Sequence, residues 1–343
     1  MLRQLRNVLG KFISTVDRFW FEEQSTLSLG VFRVSLGLLI LFILICSIPN
    51  WEFFYGAYGP YPLSALREAM GGYTSALSIS LLAFSDQNWL LWAVLGFNLI
   101  CATAFTLGWQ TRWITIAMFI GWSSLCNRNI TLINGQDQII KMMLFLGCFA
   151  PMGNSLSIDR WWQEYQYQKS NGQTPKPSDL RPICSWRLMQ TSIAILYLFA
   201  GPSKLVSDEA WRNGTALYYV SLSDRWYRFY AYDFMHNLNL NALFTYATLG
   251  LQISFPYLVW IEPIGELVVL AAMLAHVSMF TLLSRYVFHF NLAVLVSFIV
   301  FVKPLRFEQL FAAFHKLWPR FLLFKPASSL QPLESPESYS HSK

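Results

Sequence analysis

Few side chains in this 343-residue sequence could do proton chemistry in apolar surroundings. In LYLFAGPSKLVSDEAWRNGTALYY, an apolar run reaches Gly201-Pro202, Lys204 follows at once, and Trp211 and Gly214 come soon after. A Gly-Pro pair here is expected to break the helix and hold the amine at a fixed depth, where it could serve as a general base. The plainer role is an anchor whose apolar stem lies along the bundle while its charge reaches the headgroups. His276, in MLAHVSMF, has no charged residue within two turns of its own run. Such a histidine is either a proton-handling group or an interhelical hydrogen bond, and the second is the commoner use. Asp137 and Lys141 in QDQIIKMM stand four apart, which on a helix lets them pair as a structural ion pair. Arg33 opens an apolar run and is expected to snorkel back to the nearer surface.

The elements that must carry these residues are membrane helices. Hydrophobic residues make up 55% of the chain and charged ones only 13%, against about 25% in soluble proteins. Apolar windows near 28–49, 88–108, 113–127, 138–152, 186–203, 240–260, 264–283 and 286–302 predict about eight spans, the third and fourth being short for a core of roughly 30 Å. Residues 76–84 are too short to cross and read as a re-entrant or interfacial piece. Assigned with the N-terminus inside, the loops place sixteen Lys and Arg on the cytoplasmic side and seven outside. That asymmetry predicts both termini in the cytoplasm. The N-terminal stretch has no compact apolar core with a cleavage site, so the first span serves as its own address.

Residues 1–26 place Leu2, Leu5, Leu9, Phe12 and Val16 at helical spacing beside Arg3, Arg6, Lys11 and Arg18, which predicts an in-plane amphipathic helix on anionic lipid. The net charge of +6 is thereby assigned to lipid headgroups, and no nucleic-acid partner is expected. Residues 27–303 form the transmembrane domain, 304–325 a second juxtamembrane amphipathic helix, and 326–343 a Ser/Pro-rich disordered tail. Within the domain, 153–185 is a polar connector between two sets of four spans. The aromatic-rich segments 49–75 and 204–239 are expected to fold as an outer cap. The fold class is therefore all-α, a polytopic helix bundle with interfacial helices and a cap. The five cysteines are scattered, with no CxxC and no Cys/His cluster, so neither a disulfide framework nor a metal site is expected. Asn129-Ile130-Thr131 and Asn213-Gly214-Thr215 match the short glycosylation pattern, which chance explains.

The segments LSLGVFRVSLGLLIL, YGAYGPYP, LGWQTRW, NRNITLINGQDQIIKMMLFLGCFAPMGNSLSIDR, LFAGPSKLVSDEAWRNGTAL and HVSMFTLL occur in this order. In that order they resemble the horizontally transferred transmembrane (HTTM) family, bacterial relatives of the membrane part of vitamin K-dependent gamma-glutamyl carboxylase. The resemblance covers roughly residues 25–302. It implies that Lys204 stands where the carboxylase has the base that deprotonates its hydroquinone, and that Asn154 occupies the place of an assisting histidine. An amide cannot shuttle a proton as imidazole does. The chain also stops about 40 residues after the last span, without the carboxylase's large lumenal domain, so gamma-carboxylation is not expected.

These readings combine into a bacterial inner-membrane protein whether or not it is an enzyme. An outer-facing cavity is expected around Lys204, Trp211 and His276, with Arg33, Asn154 and Gly214 contributing, and a quinone or lipid as its ligand. Two other readings stand beside it. One is a non-catalytic accessory protein for a secreted antimicrobial-type peptide, because membrane proteins of sporulation-delaying-protein systems also resemble this family; the other is a structural membrane module.

Overall fold

A computed structural model describes residues 2–71, 80–85, 87–172, 180–223, 237–282 and 287–317. The chain is helical nearly throughout these residues, in two units divided after Val302. In the first unit the helices are α1 (Leu2–Phe21), α2 (Leu27–Ser47), α3 (Trp51–Tyr55), α4 (Leu63–Gly71), α5 (Asn88–Leu107), α6 (Thr111–Arg128), α7 (Gly135–Gly147), α8 (Ile158–Asn171), α9 (Cys184–Ser207), α10 (Glu209–Arg212), α11 (Ala216–Leu222), α12 (Leu238–Leu258), α13 (Ile264–Leu282) and α14 (Phe288–Phe298). The second unit holds α15 (Pro304–Leu317). Each of the eight apolar windows contains a helix, although α7 ends at Gly147, five residues short of the window's end. Three helical stretches, Leu27–Tyr55, Asn88–Leu107 and Ile264–Thr281, are long and apolar enough to cross a membrane. The expected tail at 326–343, and residues 76–79 of the expected 76–84 piece, lie outside the described residues.

One feature departs from the all-α expectation. Glu23–Ser25 and Leu180–Pro182 form a two-stranded antiparallel pair, β1 and β2, with Gln24 opposite Arg181. Its consequence is topological, because the pair ties the start of α2 to the start of α9. The 299–301 turn after α14 meets the same end: Ser28 Oγ donates to the Val302 carbonyl at 2.7 Å and Gln190 Nε2 to that of Val300 at 2.7 Å. The indole of Trp186 also donates to Val300. Helices α2 and α9 therefore rise together from one end of the bundle, and α14 descends to it.

Helix α1 keeps Val8, Leu9, Phe12 and Ile13 exposed and joins the bundle through its last turn. There Arg187 Nε donates to the Phe19 carbonyl at 3.0 Å, and its guanidinium lies 4.6 Å from the Phe19 ring centre. The core is continuous from Leu29, Phe32 and Leu36 of α2 to Phe105, Met118, Ile140, Met189, Phe255 and Phe298.

Candidate functional site

Helix α9 carries the centre of interest along one face. Seven residues separate Tyr197 from Lys204, nearly two full turns, so both point the same way about 10 Å apart along the axis. The expected break at Gly201-Pro202 is absent, and α9 runs unbroken through both residues to Ser207. Proline removes only its own N–H, which leaves the Leu198 carbonyl without its helical donor. Gly201 serves packing instead: a Cβ there would lie 2.8 Å from Ile253 Cγ1 and 3.2 Å from Ile253 N, so its absence lets α12 approach.

Lys204 is half-buried at the far end of α9. Its amine donates to the Ala200 carbonyl at 3.3 Å and stands 5.5 Å from the Trp211 ring centre, over the indole. No carboxylate among the described residues pairs with it. Trp211 is placed by the short turn α10, capped by Asp208 Oδ1 accepting from Ala210 N at 2.9 Å. The chain then reverses at Gly214, whose φ of 73° lies in the left-handed region that suits glycine. A Cβ on Gly214 would also meet the Tyr246 ring at 2.9 Å. Tyr246 in turn donates its hydroxyl to the Arg212 carbonyl at 2.8 Å, fixing this turn to α12.

Two turns deeper, Tyr197 Oη and His276 Nε2 are 2.9 Å apart, and His276 Nδ1 is 2.8 Å from Asn291 Oδ1. Asn291 Nδ2 donates to the Val287 carbonyl at 2.9 Å, so its Oδ1 is the end turned toward the imidazole. An amide oxygen only accepts, which assigns the proton of a neutral ring to Nδ1 and leaves Nε2 to accept from the phenol. The result is a directed chain, Tyr197 to His276 to Asn291, across α9, α13 and α14. All three residues are buried.

Arg33 and Asn154 do not belong to this site. Counting 1.5 Å per residue along α2 and α9 from their tied starts, Arg33 and Lys204 are separated by about 20 Å along the bundle. Nor does Arg33 snorkel: it is fully buried, with Nη1 donating to Met152 O at 3.0 Å and Nη2 to the Leu156 carbonyl. Ser155 O and Thr106 O stand at 3.5 Å. Carbonyl oxygens at helix ends and in the 152–156 turn offer concentrated negative dipole, which is why the cation settles there and not at the surface. Gly108, with φ 72°, passes so close that a Cβ would fall 2.3 Å from Arg33 Nη1. The neighbouring Asp159 accepts from Gln110 N, Thr111 N and Thr111 Oγ1, each at 2.7 Å, and so caps α6. Asn154, with its amide oxygen turned toward Arg181, accepts from Arg181 Nε at 2.7 Å.

Asp137 and Lys141 form no ion pair. Asp137 Oδ2 accepts from Asn134 N at 2.8 Å, and the Asn134 side chain accepts from the backbone of Asp137, a reciprocal capping box that starts α7. The carboxylate is held by this local bond, away from the lysine one turn on.

Two concavities accompany these residues. One, of about 620 Å³, is lined by Asp208, Glu209, Trp211, Asn213, Tyr219 and neighbours. The second, of about 160 Å³, lies between α2, α3, α6 and the start of α7. Among the described residues no group of three or more His, Cys, Asp or Glu is placed to hold a metal. Tyr197, Asn291, Asp159 and Gly108 carry much of this geometry and were not singled out by sequence. The one usable signal was the seven-residue interval between Tyr197 and Lys204. No protein-family model, curated protein or solved structure matches the chain.

Proposed function

We propose that this chain is a multi-pass protein of the HTTM family, set in a bacterial inner membrane with both termini cytoplasmic and about eight spans, and that it binds a quinone or lipid beside Lys204. The observation that carries the reading is the setting of that amine, half-buried over Trp211 and bonded to a single carbonyl, with no carboxylate partner among the described residues. A headgroup anchor has no use for a fixed aromatic face. A ligand with an acidic hydroxyl does, since the indole packs against its ring while the amine meets the oxygen. In this reading Lys204 takes the hydroxyl proton, and the buried Tyr197–His276–Asn291 chain holds α9 in register behind it.

Native mass spectrometry of the full chain, extracted in mild detergent, tests this. The wild type is expected to carry a bound quinone or lipid, and Lys204→Met to lose it. Lys204→Arg keeps the charge and is expected to retain the molecule while losing any turnover, because a guanidinium does not give up its proton. Equal lipid content in wild type and Lys204→Met, both folded, would overturn the reading.

A second reading rests on the 620 Å³ concavity, where Asp208 and Glu209 sit beside Trp211 and Tyr219. Carboxylates and aromatic faces together suit a basic, aromatic segment of a secreted peptide, the accessory role. A gene for a small secreted peptide next to this one would favour it; a redox or lipid enzyme there would favour the ligand reading.

A further inference from the structure

Helix α8, in the segment that composition marks as a polar connector, has an apolar face, and none of its residues is buried. Ile158, Trp161, Trp162 and Tyr165 recur at the i, i+3, i+4, i+7 interval of one helical face, and all four are exposed. The Trp161 and Tyr165 rings stack with centres 5.8 Å apart and 17° between their planes, and the Trp162 ring centre is 5.9 Å from that of the same tyrosine. The three rings form one patch. Arg160 and Glu164, four apart on the other side of the helix, pair with each other.

What meets this face follows from where α8 is fastened. Its second residue, Asp159, donates its N–H to the Gly108 carbonyl at 3.0 Å, one residue past the end of α5, while its carboxylate holds Gln110 N and Thr111 N at the start of α6. Helix α5 has 20 residues, about 30 Å of helix, which is the thickness of a bilayer's hydrocarbon core. Its end at Leu107 therefore lies at the boundary between hydrocarbon and headgroups, and α8 starts at that level. Two more exposed tryptophans flank the same junction, Trp109 in the turn between α5 and α6 and Trp113 in the first turn of α6, the latter 67% exposed. Indoles gather where an apolar ring meets a polar, hydrogen-bonding layer, which is the headgroup region of a bilayer.

We propose that α8 is a membrane-docking helix, seated in the headgroup layer of the leaflet where α5 ends, with Trp161, Trp162 and Tyr165 meeting the phospholipid together with Trp109 and Trp113. The proposal rests on the reading that α5 crosses the bilayer. Seated there, α8 fixes the depth of the α5–α6 junction, and with it the depth of the Arg33 guanidinium that Gly108 backs. The site is independent of the ligand reading at Lys204.

The test uses the full chain, labelled with fluorotryptophan and reconstituted in phosphatidylcholine–phosphatidylglycerol nanodiscs, and fluorine NMR. Trp161→Phe and Trp162→Phe each remove one resonance and so assign it, and the ring that remains keeps the helix face apolar. Lipid carrying a nitroxide near the headgroup end of its acyl chain is expected to broaden both resonances severalfold more than a water-soluble gadolinium chelate does. A control variant, Ile100→Trp, puts an indole at an exposed position of α5 about 10 Å along the helix from Leu107, where a nitroxide near mid-chain should broaden it. If the control is not broadened, α5 does not cross the bilayer, and the span reading falls together with the proposal. If the control is broadened while Trp161 and Trp162 respond more to the aqueous chelate, α8 stands in water and the proposal alone is overturned. Resonances that neither agent touches would mean that protein covers the face, which overturns it too.

Discussion

The phenol of Tyr197 and the imidazole of His276 meet at 2.9 Å in the interior, joining α9 to α13 at a depth where neither has another described partner for that atom. Since Asn291 takes the other ring nitrogen, the imidazole is satisfied on both sides. With both ring nitrogens engaged, the imidazole ties α9, α13 and α14 together.

A tie of this kind is expected to be non-additive under mutation. Tyr197→Phe leaves His276 Nε2 buried without a donor, at a cost of about 1–3 kcal/mol, and His276→Leu strands the tyrosine hydroxyl and the asparagine oxygen. The double variant removes both ends of one bond and should cost less than the sum of the singles. Thermal unfolding of the four proteins in one detergent measures the coupling. Strict additivity would show that the bond contributes nothing.

Arg33 gives the opposite kind of prediction. Its guanidinium is buried against four carbonyl oxygens and closely backed by Gly108. Arg33→Lys supplies a point charge that cannot reach a fan of acceptors, and Gly108→Ala puts a methyl into the guanidinium at a φ that favours glycine. Both variants are expected to lower the yield of folded protein severalfold, the change produced by a loss of about 1–2 kcal/mol in cells. Ligand content per folded molecule should be unchanged. A variant with normal yield and lost ligand would return Arg33 to the binding site.

How much of this was legible beforehand depends on the kind of partner each side chain has. Lys204 and Trp211 were found together because they stand only seven positions apart in sequence. The apolar windows were found because helical hydrophobicity is local, and each contains a helix in the structure. Tyr197, His276 and Asn291 come from distant segments, and an Asn or Tyr within an apolar run gives no sign of what it faces. Arg33 was misread for a related reason: its partners are backbone carbonyls, which have no signature in sequence. The four-residue interval between Asp137 and Lys141 was visible, but a capping box three residues upstream competes for the same carboxylate, and it prevails because its bond is short and local.

That competition can be measured. If Asp137 is a cap, Asp137→Ala should cost about 1 kcal/mol, and Lys141→Met should stay within about 0.5 kcal/mol of wild type. A buried ion pair would behave differently, since losing either partner strands the other at a cost of about 3–5 kcal/mol. Chemical denaturation in mixed micelles separates the cases. Equal and large losses for the two single variants would restore the pair.

Gly201 tests the packing that holds Lys204 in place. The glycine stands against the backbone of α12, where Ile253 N would be 3.2 Å from an added Cβ, and a backbone atom cannot swing aside as a side-chain tip can. Gly201→Ala would gain about 1 kcal/mol of helix propensity in isolation. Here it must separate α9 from α12, and overpacking of this kind costs about 1–3 kcal/mol. Pro202→Ala touches no such contact and restores the donor that Leu198 O lacks, so it is expected to be neutral or stabilising. Melting temperatures should therefore fall for Gly201→Ala and hold or rise for Pro202→Ala. The reverse order would mean that the glycine acts as a hinge and that the Gly-Pro pair, not the contact with α12, sets the position of Lys204.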